Sequence, residues 1–188
     1  MKVSTKEFLE QLGTAFETKL GLKRLNRTKY ILDLGADDVV GLAIGWSEKP
    51  SGELDIWLHG HAYRRSVDAI LIRGLRNVAR ITVPLAARYY SGAVIRLFDA
   101  KVQPKGTIDD LVALAQHRII PEITTLLGDD EAIRKGLTDP LSPPEICLAY
   151  HLQKQPKLID DRDGLLGLIE QSDNVARARA VAFLNLLL

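Results

Sequence analysis

The stretch Leu54-Asp55-Ile56-Trp57-Leu58-His59-Gly60-His61-Ala62-Tyr63-Arg64-Arg65 decides the reading of this chain. Side chains of a strand point alternately to its two faces. One face therefore receives Leu54, Ile56, Leu58 and Ala62; the other receives Asp55, Trp57, His59, His61 and Tyr63. That pattern predicts a strand of an antiparallel sheet, packed on one side and accessible on the other. The second face holds two of the four histidines and one of the two tryptophans. It is where a partner, a metal or a substrate would sit.

Upstream, Tyr30 to Leu34 and Val39 to Trp46 also read as strands. Gly35-Ala36-Asp37-Asp38 separates them, and a Ser47–Glu53 loop with Pro50 and Gly52 leads into Leu54. Connections this short predict antiparallel neighbours. Before the strands, Ser4 and Glu7 have capping-box spacing, and Phe8, Leu9, Leu12, Phe16 and Leu20 recur at helical intervals up to Gly21.

From Ser66 the period changes. Val67, Ile70, Leu71, Leu75 and Val78 fit one helical face, with Arg73, Arg76 and Arg80 on another. Ile81-Thr82-Val83 and Ala93 to Phe98 read as extended, with a turn at Ser91-Gly92. The rest is helical in pattern. Thr107 and Asp110 form a cap, Pro121 limits or kinks that helix while Ile123 to Leu127 continue its apolar face, and a short helix covers Asp130 to Lys135. Ser142-Pro143-Pro144-Glu145 starts another helix, and Asp160–Glu170 and Ser172–Leu188 complete the set. The expected fold is α+β: a small antiparallel sheet with covering helices, followed by a C-terminal helical bundle. Residues 1–138 are expected to form the α+β domain and 139–188 a helical extension packed on it. The apolar last helix is expected to dock in the core, with an exposed dimer face as the alternative.

An N-terminal helix, the turn Leu20-Gly21-Leu22-Lys23-Arg24 leading into Tyr30, a strand meander, and a helical block from Thr107 through Ile120-Pro121-Glu122-Ile123 together resemble a known group. They are similar to the uncharacterised bacterial proteins of domain of unknown function 4304. The likeness covers roughly residues 5–135; Leu22 stands where that pattern prefers an aromatic, and the C-terminal helices lie beyond it. Some similar small α+β proteins sit beside polymorphic toxins and are thought to act as immunity proteins. The resemblance implies toxin neutralisation and supplies no catalytic residues.

Composition narrows the classes. The chain has 188 residues, 46% hydrophobic and 26% charged, enough for a sizeable core. A single cysteine, Cys147, excludes an internal disulfide framework and fits a reducing compartment. The N-terminus lacks a signal-peptide pattern, and no apolar run is long enough to span a bilayer, so a cytoplasmic protein without membrane partners is expected. The net charge of +1 conceals an asymmetry: residues 1–98 carry 15 Lys/Arg against 10 Asp/Glu, residues 99–188 carry 10 against 14. Arg64, Arg65, Arg73, Arg76, Arg80, Arg88 and Arg96 are answered in their span only by Asp68. Such a field attracts an acidic partner or a phosphate backbone.

His59 and His61, two apart on one strand face, could share a metal, but a stable site needs a third or fourth ligand and no spacing supplies it. No metal or cofactor is expected. The acidic groups at 109–110, 129–131 and 160–163 lie at predicted helix starts, where carboxylates cap amides. Cys147 reads as a buried structural thiol, and no nucleophile elbow or phosphate loop is present. The leading expectation is a non-enzymatic protein-binding module with a protein partner, acidic in character. Its surface is Trp57, His59, His61, Tyr63, Arg64, Arg65, Arg73 and Arg76, since aromatics and arginine are enriched at interface hot spots. A nucleic-acid-associated accessory protein using the basic span 64–96 is the second reading, and an enzyme with an unfamiliar site near His59 and His61 the third.

Overall fold

The computed structural model describes residues 4–74, 86–96, 104–129, 131, 144–167 and 174–187. The chain divides into two compact units, Met1–Ala62 with Ala87–Thr125, and Tyr63–Ala86 with Leu126–Leu188. The fold is α+β, with an antiparallel sheet and C-terminal helices.

The first unit opens with helix α1, Thr5–Leu20. The Ser4 hydroxyl accepts from the Glu7 N–H at 3.2 Å, which settles one of the amides left over at a helix start. At the other end Gly21 adopts φ 66°, and the N–H groups of Gly21 and Leu22 both turn back to the Phe16 carbonyl. That left-handed position favours glycine.

Five strands follow in sheet order β1-β2-β3-β4-β5: Lys23–Asn26, Lys29–Asp33, Asp38–Glu48, Glu53–Arg64 and Ala86–Arg96. β1 with β2 and β2 with β3 are antiparallel, with Arg24 opposite Tyr30, Ile31 opposite Gly41 and Lys29 opposite Ala43. β3 and β4 are joined by Pro50-Ser51-Gly52. The Gly52 N–H donates to Lys49 O and the Lys49 N–H to Glu53 O, both at 2.8 Å, while Gly52 has φ 80°. This is a three-residue hairpin closed by a left-handed glycine, so β3 and β4 run antiparallel.

β1 is missing from the sequence reading because Lys-Arg-Leu-Asn has no alternation. The turn expected at Ser91-Gly92 is absent: β5 runs straight through it. Ile81-Thr82-Val83 lies outside the described residues.

The inward face of the sheet is built as the alternation of β4 requires. Leu54, Ile56, Leu58 and Ala62 are buried, together with Tyr30, Val40, Leu42 and Ile44. α1 packs on it through Phe8, Leu9, Leu12 and Phe16. Phe16 meets Tyr30 edge-on at 5.4 Å between ring centroids. Gly13 makes the approach possible, since a Cβ there would lie 2.3 Å from the Tyr30 hydroxyl oxygen.

Helix α3, Pro104–Leu114, continues through a π-helical turn, Ala115–Ile119, into α4, Ile120–Gly128. Thr107 lies inside α3, not at its cap, because Pro104 supplies the start. The Ile120 N–H bonds to the Ala115 carbonyl, five residues back. The wider turn immediately precedes Pro121, whose ring would collide with a carbonyl in a tight α-helix. The expected kink is thus a π-turn, and the helix goes on. Ile119 and Ile123 press on β4 at Gly60, where a Cβ would lie 2.5 Å from Ile119 Cγ2.

The second unit contains α2, Arg65–Gly74, and three later helices: α5, Pro144–Lys154; α6, Arg162–Gly167, preceded by a 3₁₀ turn Pro156–Asp160; and α7, Asn174–Leu187. Its core joins Val67 and Leu71 to Ile146, Leu148, Tyr150, Leu165, Phe183 and Leu184. Gly74 lets Phe183 in, with a Cβ there only 2.2 Å from the ring. α7 therefore docks in its own unit through Ala180, Phe183, Leu184 and Leu187. The helix start expected at Ser142-Pro143 begins, within the described residues, at Pro144. There Glu145 is turned inward to Arg179 Nε at 2.8 Å. Apart from Glu131, the short helix expected over 130–135 lies outside the described residues.

Candidate interaction face of the sheet

The outward face of β4 is the strip that the alternation singled out. Asp55, Trp57, His59, His61 and Tyr63 are each half-buried, while the residues between them are buried. The register across to β3 follows from close approaches. A Cβ on Gly41 would lie 2.0 Å from His61 Nε2, and one on Gly45 2.0 Å from Trp57 Nε1. Together with Lys49 facing Glu53, these contacts step evenly along both strands and set Ala43 opposite His59. The rings of His61 and Trp57 thus lie down on glycines of the neighbouring strand. Covering a strand glycine with a cross-strand aromatic is a recognised way to hold a sheet.

This explains the chemistry of the two histidines. Burial pulls the His61 imidazole down to about 4, aided by the nearby charges of His59 and Lys29. Burial also lowers His59 from its usual range. Both rings are therefore neutral near pH 7. Their centroids are 5.9 Å apart. Neutral imidazoles can ligate metals, but the Nε2 edge of His61 is pressed against Gly41. Among the described residues no group of three or more metal-ligating side chains converges. The pair is a packed aromatic element of the sheet face.

The face is graded. Val39 and Ile31 are buried at one end, while Ala43, Gly45, Trp57 and His59 are partly open. Lys23 and Lys29 stand on the same face, opposite Ile31 and Ala43, and both are exposed. Asp55 is tied to Lys49 at 3.0 Å.

The remaining expected site residues belong to the second unit. Arg64 is structural: its Nη2 donates to the Leu127 carbonyl at 3.0 Å, serving one of the last carbonyls of α4. Burial, then Asp68, raises the Tyr63 phenol above its ordinary value. Arg65 and Arg73 are exposed on α2, with Ile72 between them 49% exposed. Arg76, Arg80 and the side chains of Arg88, Tyr89, Tyr90 and Arg96 lie outside the described residues. Sequence reasoning missed Lys23, Lys29, Gly41 and Gly45. The signal was a pair of glycines four residues apart in β3, matched in spacing by Trp57 and His61.

The other reactive groups are used locally. Cys147 is buried, and burial raises its thiol. Asp161 accepts from the Gly164 N–H at 2.9 Å and Asp129 from the Glu131 N–H at 3.0 Å, as caps do. Among the described residues no helix is long and apolar enough to cross a membrane.

No protein-family model matches the chain, and no match was found among curated proteins or among solved structures.

Proposed function

We propose that this protein is a non-enzymatic protein-binding module whose contact surface is the outward face of β4, centred on Trp57 and His59. The observation that supports it most is the half-exposed aromatic row held over the small residues of β3. A face of this kind is rigid before any partner arrives, so little side-chain entropy is lost on binding. Tryptophan on such a support is the usual anchor of an interface. The histidines are neutral and packed, which suits contact better than proton transfer. The role implied by the resemblance, neutralisation of a bacterial toxin in the cytoplasm, is the biological setting proposed.

The test is affinity capture from lysate of the cells that encode the protein, with nuclease present. The wild-type chain is expected to retain one protein that a Trp57→Ala/His59→Ala variant loses while remaining folded. Equal retention by that variant would remove this face from consideration. Arg65 and Arg73 favour a second reading, nucleic-acid association through α2. That reading requires binding that weakens steeply with salt.

A further inference from the structure

We infer that the binding face extends across the sheet from Trp57 and His59, over Ala43 and Gly45, to Lys23 and Lys29, and that its occupant is an acidic polypeptide segment with an aromatic or aliphatic anchor. This rests on the reading of the β4 face as a contact surface. Three observations carry the extension, all within the first unit.

The first is placement. Lys29 lies opposite Ala43, and Lys23 opposite Ile31, so both share the face of Trp57 and His59. Strands lie about 4.8 Å apart, which puts Lys29 on β2 roughly 10 Å and Lys23 on β1 roughly 14 Å from β4. One extended segment covers that distance. Ala43 and Gly45 raise no wall between the two rows.

The second is charge. Of the eight cations of this unit whose side chains are described, five are answered by carboxylates. Lys19 pairs with Asp109, Arg24 and Arg27 with Glu10, Lys49 with Asp55 and Glu53, and Arg118 with Glu122. Lys23 and Lys29 have no ion pair among the described residues, although both are exposed on this face. The carboxylates on the same face are Glu53 and Asp55, both beside Lys49, and Asp33, which lies opposite Val39 at the buried end. Lys23 and Lys29 are therefore the cations of this face that no described carboxylate answers, and Lys29 stands two strands from the aromatic row.

The third is number. Two lysines complement a short acidic segment. A phosphate backbone engaged through this face would need a longer run of cations, since its affinity comes from neutralising many phosphates.

The test uses the full-length, ¹⁵N-labelled protein and amide spectra at low salt. The probes are a random copolymer of glutamate and tyrosine, a lysine–tyrosine copolymer and oligo-deoxythymidine. The glutamate–tyrosine copolymer should shift the Ala43 and Gly45 amides and the Trp57 indole, and the other two probes should not. Lys23→Glu/Lys29→Glu should weaken that titration at least tenfold, and Lys23→Gln/Lys29→Gln should weaken it less and flatten its salt dependence. Lys23 and Lys29 are exposed, and thermal unfolding checks that each variant folds. If the lysine variants titrate like wild type while Trp57→Ala/His59→Ala weakens binding, the extension fails and the β4 reading stands. If the aromatic variant also titrates like wild type, both fail. Absence of any shift with the glutamate–tyrosine copolymer overturns the acidic occupant, and larger shifts of the same resonances with oligo-deoxythymidine assign the face to nucleic acid.

Discussion

At the scale of single residues, the outward face works because glycine on β3 admits an aromatic ring from β4. Gly45→Ala places a methyl where the Trp57 pyrrole edge now lies. The ring must swing out, and overpacking of this kind costs about 1–3 kcal/mol. Urea unfolding should show that loss, and the tryptophan emission of the folded variant should shift to the red. His61 makes a second prediction, with a definite sign. Its folded value is about 4 against an ordinary 6.5, so between these values the unfolded chain binds more protons. Stability must then fall as pH drops from 6.5 towards 4, by on the order of 3 kcal/mol from this group. His61→Phe keeps a ring over Gly41 and should flatten that part of the stability–pH curve. A curve unchanged by the substitution would show that the ring is not held neutral by burial. None of this was visible in the sequence as such. The positions of His59 and His61 on one face were legible from alternation, but the packing that buries His61 depends on Gly41, which only the register brings beneath it.

At the scale of elements, legibility followed the strength of the local signal. α1 could be read because Ser4, Glu7 and Gly21 mark both ends and five apolar residues share a face. β4 was legible because its burial alternates residue by residue. β1 and β5 were not. The first is four polar-rich residues held by pairing to β2, and the second passes through Ser91-Gly92 because its place beside β4 outweighs a local turn preference. Pro121 was read as a kink, whereas the chain answers it with a π-turn and keeps the helix over Gly60. Gly60→Val should therefore strike an element contact: its side chain would meet Ile119 and Ile123. A loss of roughly 1–3 kcal/mol or more is expected, with hydrogen exchange accelerated in both β4 and α4. In the second unit, Glu145 is buried and reaches Arg179, which is itself largely exposed. Arg179→Met should destabilise because it leaves a buried carboxylate unpaired, and Glu145→Gln in that background should restore part of the loss. Thermal unfolding of the three variants measures both steps.

At the scale of the whole molecule, the α+β class follows from the order of patterns along the chain: helix, meander, then helices. The expected surface crosses the point where the two compact units divide, between Ala62 and Tyr63. Charge counting alone could not separate its parts. Trp57, His59 and His61 belong to the sheet of the first unit, Arg64 is spent on the end of α4, and Arg65 and Arg73 sit on α2 of the second. Lys23 and Lys29 were overlooked because a lysine on a short strand carries no signal until pairing places it. The central claim is that the β4 face, not the basic helix, meets a protein partner. Photo-crosslinking inside the encoding cells tests it most directly, with benzoyl-phenylalanine placed at position 59 and, as controls, at exposed positions 73 and 157. A discrete protein adduct from position 59, absent from 73 and 157, is the predicted result. No adduct at 59, or the same adduct from position 73, would contradict it.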